Sequence, residues 1–126
     1  MARRDLTGAV DFGHLERYAG HDEALVDEVL GIFREQAEMW VQLLEPTAPA
    51  GAWKDAAHSL KGSALGVGAF RLAEACEAAE KGSESEPAQK ARQLDRIRDE
   101  MDLALADVAA YRHEKALQSL KPPPRS

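Results

Sequence analysis

The sequence predicts an all-α protein, an antiparallel four-helix bundle with a short extra N-terminal helix, and three observations lead there. Residues that favour strands are scarce: ten positions are Val, Ile or Thr, while alanine, leucine, glutamate and arginine dominate. Proline, which breaks helices from within, occurs before the C-terminal tail only at Pro46, Pro49 and Pro87. The stretches 1–45, 50–86 and 88–121 are therefore free of breakers, and they carry apolar residues at spacings of three and four.

Phe12, Leu15 and Tyr18 give a short first helix that ends near Gly20. Asp22 then offers a side-chain oxygen to the free amides of a second helix. In that helix Leu25, Val29, Ile32, Phe33, Trp40, Leu43 and Leu44 are expected to form the apolar face, and Pro46 to Gly51 reads as a loop. From Ala52 the next helix turns Trp53, Ala57, Leu60, Ala64 and Val67 inward and is expected to end at Gly68. A fourth carries Phe70, Leu72, Cys76 and Ala79 inward and stops at Gly82. Ser85 is the candidate cap of the last helix, with Pro87 in its first turn. Leu94, Ile97, Met101, Leu105, Val108 and Tyr111 mark its inner face, and the dense charge from Arg92 to Asp102 reads as a solvated one. Helices joined this closely pack antiparallel around a shared apolar seam. Residues 1–9 are then an N-terminal extension, 10–118 the bundle domain, and 119–126 a Pro-rich tail expected to be disordered.

Composition narrows the function classes. The chain has 126 residues, the size of one domain, with 16 Lys plus Arg against 22 Asp plus Glu. The net charge of −6 argues against a nucleic-acid or anionic-membrane partner. Apolar runs are far shorter than the ~20 residues that cross a bilayer. The basic start is not followed by the apolar stretch of a signal peptide, so a cytoplasmic location is expected. A single cysteine, Cys76, excludes an intramolecular disulfide and a four-thiolate zinc site, and it reads as a core residue. A monomer is expected because such a bundle closes on itself.

Of the four histidines, His14, His21 and His113 have contexts that suggest solvent exposure without special neighbours. No pair shows the His-x-x-x-His or Glu-x-x-His spacing of helical metal sites, so no metal is expected. His58 differs. On a helix it shares an outer stripe with Lys61, Gly62 and Leu65, beside the inward stripe. Side chains lean toward the helix N-terminus, so the residue at i+4 overhangs residue i, and here that residue is Gly62. A mid-helix glycine costs about 1 kcal/mol relative to alanine, and close approach by another macromolecule is one reason to keep it. Lys61 places an ammonium beside an anion held on the imidazole, and the one carboxylate within a turn along the chain is Asp55. These residues suit a histidine that carries a phosphoryl group. A solvated face with an accidental histidine fits the same spacing.

The segment His58-Ser59-Leu60-Lys61-Gly62-Ser63-Ala64, followed by Val67-Gly68-Ala69, resembles the signature of histidine-containing phosphotransfer (HPt) domains. Asp11-Phe12 with Leu15, the stretch Asp22 to Phe33, and Leu72 to Glu80 resemble the family's flanking helices, so the likeness spans about residues 10–112. It implies a four-helix bundle with His58 as phosphoacceptor, Lys61 as phosphate-neighbouring charge, and Gly62 as clearance residue. Leu65 and Gly66 extend the docking rim, and at both positions the chain departs from residues common in the family. The resemblance also implies receiver domains of two-component signalling as partners. The receiver brings its own aspartate and Mg²⁺ and performs most of the chemistry, while the chain binds no cofactor and acts as a phosphoryl carrier rather than an enzyme.

Other classes fit less well. A histidine kinase dimerisation domain typically follows its histidine with an acid, where Ser59 stands here, and there is neither length nor a phosphate-cradling loop for an ATP site. A non-phosphorylated docking bundle that binds a signalling partner is the alternative, since Gly62 and an apolar rim would serve it equally.

Overall fold

In the computed structural model, residues 6–120 are described. They form α1 (Phe12–Tyr18), α2 (Glu23–Gln42), α3 (Ala50–Val67), α4 (Phe70–Lys81) and α5 (Pro87–Ser119), with no strand among the described residues. Contacts along the helices fix their directions. Trp53 reaches Ala79 while Leu65 lies beside Phe70, so α3 and α4 run antiparallel. Gln36 meets Ser63, Gln93 meets Ala78 and Arg112 meets Asp27, which makes α2/α3, α4/α5 and α2/α5 antiparallel as well. α3 packs most extensively, against α4 and α2, and α1 lies against α3 and α2. The expected four-helix bundle with a short additional helix is the observed architecture.

The caps divide between expectation and correction. The Asp22 carboxylate accepts from Leu25 N at 3.1 Å, as anticipated, and Asp11 does the same for α1 by accepting from His14 N at 3.0 Å. Gly68 ends α3 in the left-handed conformation (φ 84°), and Asp11 N donates to its carbonyl at 3.0 Å. A Cβ on Gly68 would lie 2.9 Å from Asp11 O, so glycine is also what lets α1 dock on the end of α3. Ser85 is not a cap: Glu86 occupies that position without a side-chain bond, and Pro87 alone organises the first turn. α3 begins at Ala50, within the stretch read as loop.

The buried face of α2 is rotated from the expected one. Val26, Leu30, Phe33, Ala37, Val41 and Leu44 enter the core, whereas Leu25, Ile32 and Leu43 stay exposed and Val29 and Trp40 are half-buried. The reason is that α2 is apolar over an arc wider than one packing interface. Two adjacent stripes share the helical period, and spacing does not say which faces inward. Phe70 is likewise 41% exposed rather than inward, because α4 turns Leu72, Ala73, Cys76 and Ala79 to the seam.

The chain before α1 is packed down. Thr7 N and Thr7 Oγ1 each donate to Asp107 at 2.9 Å, and Ala9 N donates at 3.1 Å, so residues of the N-terminal segment satisfy a buried carboxylate on α5. Ala9 and Val10 are buried beside it. Phe12 stacks on Tyr111 with ring centroids 4.2 Å apart, and the Tyr111 hydroxyl donates to Glu16. At the other terminus α5 remains helical through Ser119, into the stretch expected to be disordered. Residues 121–126 of that tail and residues 1–5 of the N-terminal extension lie outside the described residues.

Candidate functional site

The inner stripe of α3 positions the site. Trp53, Ala57, Leu60 and Ala64 are each 0% exposed, with Ala56 and Val67 close behind, so the opposite face is forced outward. On that outer face stand His58, Gly62, Leu65 and Gly66, all exposed, with Lys61 half-buried toward α4. The His58 side chain is 66% exposed. A Cβ placed on Gly62 or Gly66 would meet nothing within 4 Å. The open turn above the imidazole, inferred from the glycine at i+4, is present.

Small residues bring α4 in close. Ala56, Ala57 and Ala64 of α3 and Ala73, Cys76 and Ala79 of α4 are all buried in the shared core. The Trp53 indole N–H donates to Ala79 O at 2.8 Å, pinning the register of the two helices, and Lys90 of α5 lies over the indole ring. The next residue along α4, Glu80, thereby faces the His58 turn.

Its carboxylate meets both polar side chains of that turn. Glu80 Oε2 is 3.0 Å from His58 Nδ1, and Glu80 Oε1 is 3.0 Å from Lys61 Nζ. The Lys61 bond is the main cause that holds the Glu80 carboxyl below the usual carboxylate range, opposed by partial burial and helped by His58. The same bond raises Lys61 and keeps it charged. A carboxylate at this distance from Nδ1 calls for a proton on Nδ1, so in the neutral ring the lone pair lies on Nε2.

The two flanks of the α3 ridge differ in chemistry. Toward α2 lies a shallow groove of about 190 Å³ lined by Val29, Ile32, Gln36, Ser63 and Gly66. Its apolar walls continue into the exposed Leu25, Met39 and Leu43 of α2. Toward α4 the clefts are lined by Lys54, Lys61, Glu77, Glu80 and Lys81. Among the described residues no group of three or more His, Cys, Asp or Glu side chains is placed to hold a metal ion.

A model of the Hpt domain family matches residues 28–110. The chain belongs to this family. The Hpt match runs from α2 through most of α5 and includes all the residues of the α3 face. The chain is also similar to the histidine phosphotransferase ShpA of Caulobacter crescentus, whose crystal structure superposes with a TM-score of 0.75 at 54% identity, covering 90% of this chain and 100% of that one. No curated protein matches the chain.

Within this Hpt fold, His58, Lys61, Gly62, Leu65 and Gly66 come together on one face, as their spacing on a single helix requires. Glu80 is the residue that sequence reasoning missed. Counting carboxylates along the chain finds Asp55, whereas the carboxylate in contact arrives from the neighbouring helix. One signal was present: Glu80 lies in the last turn of α4, where a negative charge opposes the helix dipole unless cations face it. His14 is the other correction. It is half-buried, edge-on to the Phe70 ring at 5.4 Å and beside Tyr18, not a solvated residue without neighbours. Cys76 is buried as expected, and burial pushes its thiol up to about 12, far from a nucleophilic thiolate.

Proposed function

We propose that this Hpt protein carries a phosphoryl group on Nε2 of His58, taking it from and returning it to aspartates of receiver domains. The observation that carries the reading is the His58 ring itself. It is exposed, tied at Nδ1 to Glu80, and open at Nε2 beneath a glycine turn that offers no side chain. Family membership and the likeness to a histidine phosphotransferase support the same assignment.

Each neighbouring residue has a part. Lys61, charged and held beside the ring by Glu80, offsets the charge of the incoming phosphoryl group. Gly62 and Gly66 let a partner's backbone approach α3. Leu65 and the exposed stripe of α2, with Ile32 and Met39, supply apolar adhesion around the transfer point. The displaced α2 face thus acquires a use: side chains that periodicity assigned to the core form the docking surface. In this reading Mg²⁺ and the reacting aspartate belong to the receiver, and the chain needs no cofactor of its own and is a carrier more than an enzyme.

His58→Gln should keep the helical fold and abolish acid-labile, base-stable labelling by phosphorylated receiver domains. Label retained in that variant would place the phosphoryl group elsewhere. Binding of receivers with no label on the unaltered chain would favour a docking module that is never phosphorylated.

A further inference from the structure

The flank of α3 that faces α4 holds a further cleft of about 280 Å³, which starts at Lys61 beside the His58 turn and runs past Leu65 and Ala73 to Phe70. We propose that the corner where this cleft meets α1 is a docking pocket for an aliphatic side chain flanked by lysine or arginine, presented by the receiver seated at His58. It rests on the reading of His58 as phosphoacceptor and adds a contact that tells one receiver from another.

Aromatic side chains are the first sign. Phe12, Phe33, Trp53 and Tyr111 are buried and Trp40 is half-buried, whereas Tyr18 is 83% exposed and Phe70 41% exposed. The two exposed rings share one corner, because His14 packs edge-on to Phe70 at 5.4 Å and stacks beside Tyr18 at 6.5 Å. Leu65, also exposed, stands in the cleft between this corner and Lys61. Aromatic rings on a rigid frame are favoured binding anchors, since they bring large contact area and lose little freedom. The frame here is the junction of α1 with the α3–α4 turn. Asp11 N donates to Gly68 O at 3.0 Å, and a Cβ on Gly68 would lie 2.9 Å from Asp11 O, so α1 sits directly on the turn that leads to Phe70. A receiver centred on His58 reaches this far. Leu65 lies two turns along α3, roughly 10 Å away, and a standard interface covers about 800 Å² of each partner.

The charges at the cleft define the rest of the occupant. Glu74 and Glu77 form its outer lip, and both are exposed. Glu74 has no ion-pair partner among the described residues, and Glu77 meets Lys81 only at 3.9 Å. The nearby cations are engaged elsewhere. Lys61 is tied to Glu80 at 3.0 Å, Arg71 turns to Glu100 of α5 at 3.7 Å, and Arg17 lies back against Gly13 of its own helix. An acidic lip beside an apolar floor fits a cation next to an aliphatic side chain. The groove on the α2 flank has no charged residue in its lining, so it asks for apolar contact alone. A receiver must therefore match two different flanks, and the corner is the one where charge discriminates.

Tyr18→Ala, Phe70→Ala and Glu74→Lys would be compared in the full-length chain, using a phosphorylated receiver domain that labels the unaltered chain on His58. Loading by phosphoramidate, a small phosphodonor that needs no docking, gives the reference for each variant. Relative to that reference, transfer from the receiver should fall about tenfold in Tyr18→Ala and Phe70→Ala, chiefly through KM. Glu74→Lys should fall at low salt and return toward the unaltered chain at about 0.5 M salt. Tyr18 is exposed and can be cut back without loss of packing, so its variant decides the case if Phe70→Ala does not fold. Unchanged relative transfer in Tyr18→Ala, or faster transfer in Glu74→Lys, would overturn the corner as a docking pocket and leave the reading of His58 standing. Failure of the unaltered chain to take label on His58 from either donor would remove the phosphoacceptor reading and this one together.

Discussion

Two carboxylates on neighbouring helices have been placed in opposite circumstances. Asp107 on α5 is 2% exposed and accepts from Thr7 N, Thr7 Oγ1 and Ala9 N, donors supplied by one short segment of its own chain. Glu80 on α4 is half-buried at the edge of the α3 face, between a histidine and a lysine. The first set of partners is mostly backbone and covers the carboxylate from solvent, although Thr7 itself is exposed. The second consists of an imidazole N–H and a lysine ammonium at the edge of the exposed α3 face. A carboxylate surrounded by backbone donors stiffens a fold, whereas one shared by an imidazole and an ammonium can respond when a further charge arrives.

Breaking the closed site should have the largest effect on stability and none on chemistry. Asp107→Ala leaves amides of the N-terminal segment without their acceptor, and denaturant unfolding should show a loss of about 3 kcal/mol. Its phosphoryl acceptance per folded molecule should match that of the unaltered chain. A matching loss of acceptance would mean that the two regions are coupled.

Gly62 sharpens the contrast from the other side. A side chain there meets nothing of its own protein, so Gly62→Leu should leave the fold intact and gain up to about 1 kcal/mol in helix propensity. Transfer from a phosphorylated receiver should nevertheless fall by about tenfold, equivalent to about 1.4 kcal/mol of obstructed approach. Unchanged transfer in that variant would show that the space above His58 is not where partners come.

The smallest effect is the pH dependence of stability at the open site. Glu80 has its folded-state carboxyl below the ordinary range, so its contribution is complete above the unfolded value of about 4.3 and is lost as pH falls through the folded value. Lys61 and Glu80 each keep part of their side chains exposed, so solvent screening holds the contribution to a modest size. Urea unfolding of the unaltered chain and Glu80→Gln should differ slightly near neutrality and converge in acid. A difference that grew with acidification would reverse the sign of the interaction.

The same contrast marks what the sequence made legible. The α3 face could be read because His58, Lys61, Gly62, Leu65 and Gly66 lie on one helix, where spacing alone determines who shares a side. The Gly68 and Asp22 termini were legible because caps are local chemistry. Glu80 and the Thr7–Asp107 contact were not, since each depends on how separate segments come to rest. The separations are 22 residues for His58–Glu80 and 100 for Thr7–Asp107. The α2 stripe falls between. Its apolar character was legible and Ile32 was read as inward, but that Leu30 faces the core instead is decided by α3 and α5.

The most direct test is nitrogen-resolved NMR of the ¹⁵N-histidine chain after loading with phosphoramidate. The expected result is a single phosphohistidine, with phosphorus coupled to Nε2 of His58 and a proton still on Nδ1, and no such signal in His58→Gln. Phosphorus on Nδ1, or on His14, His21 or His113, would contradict the reading of this site.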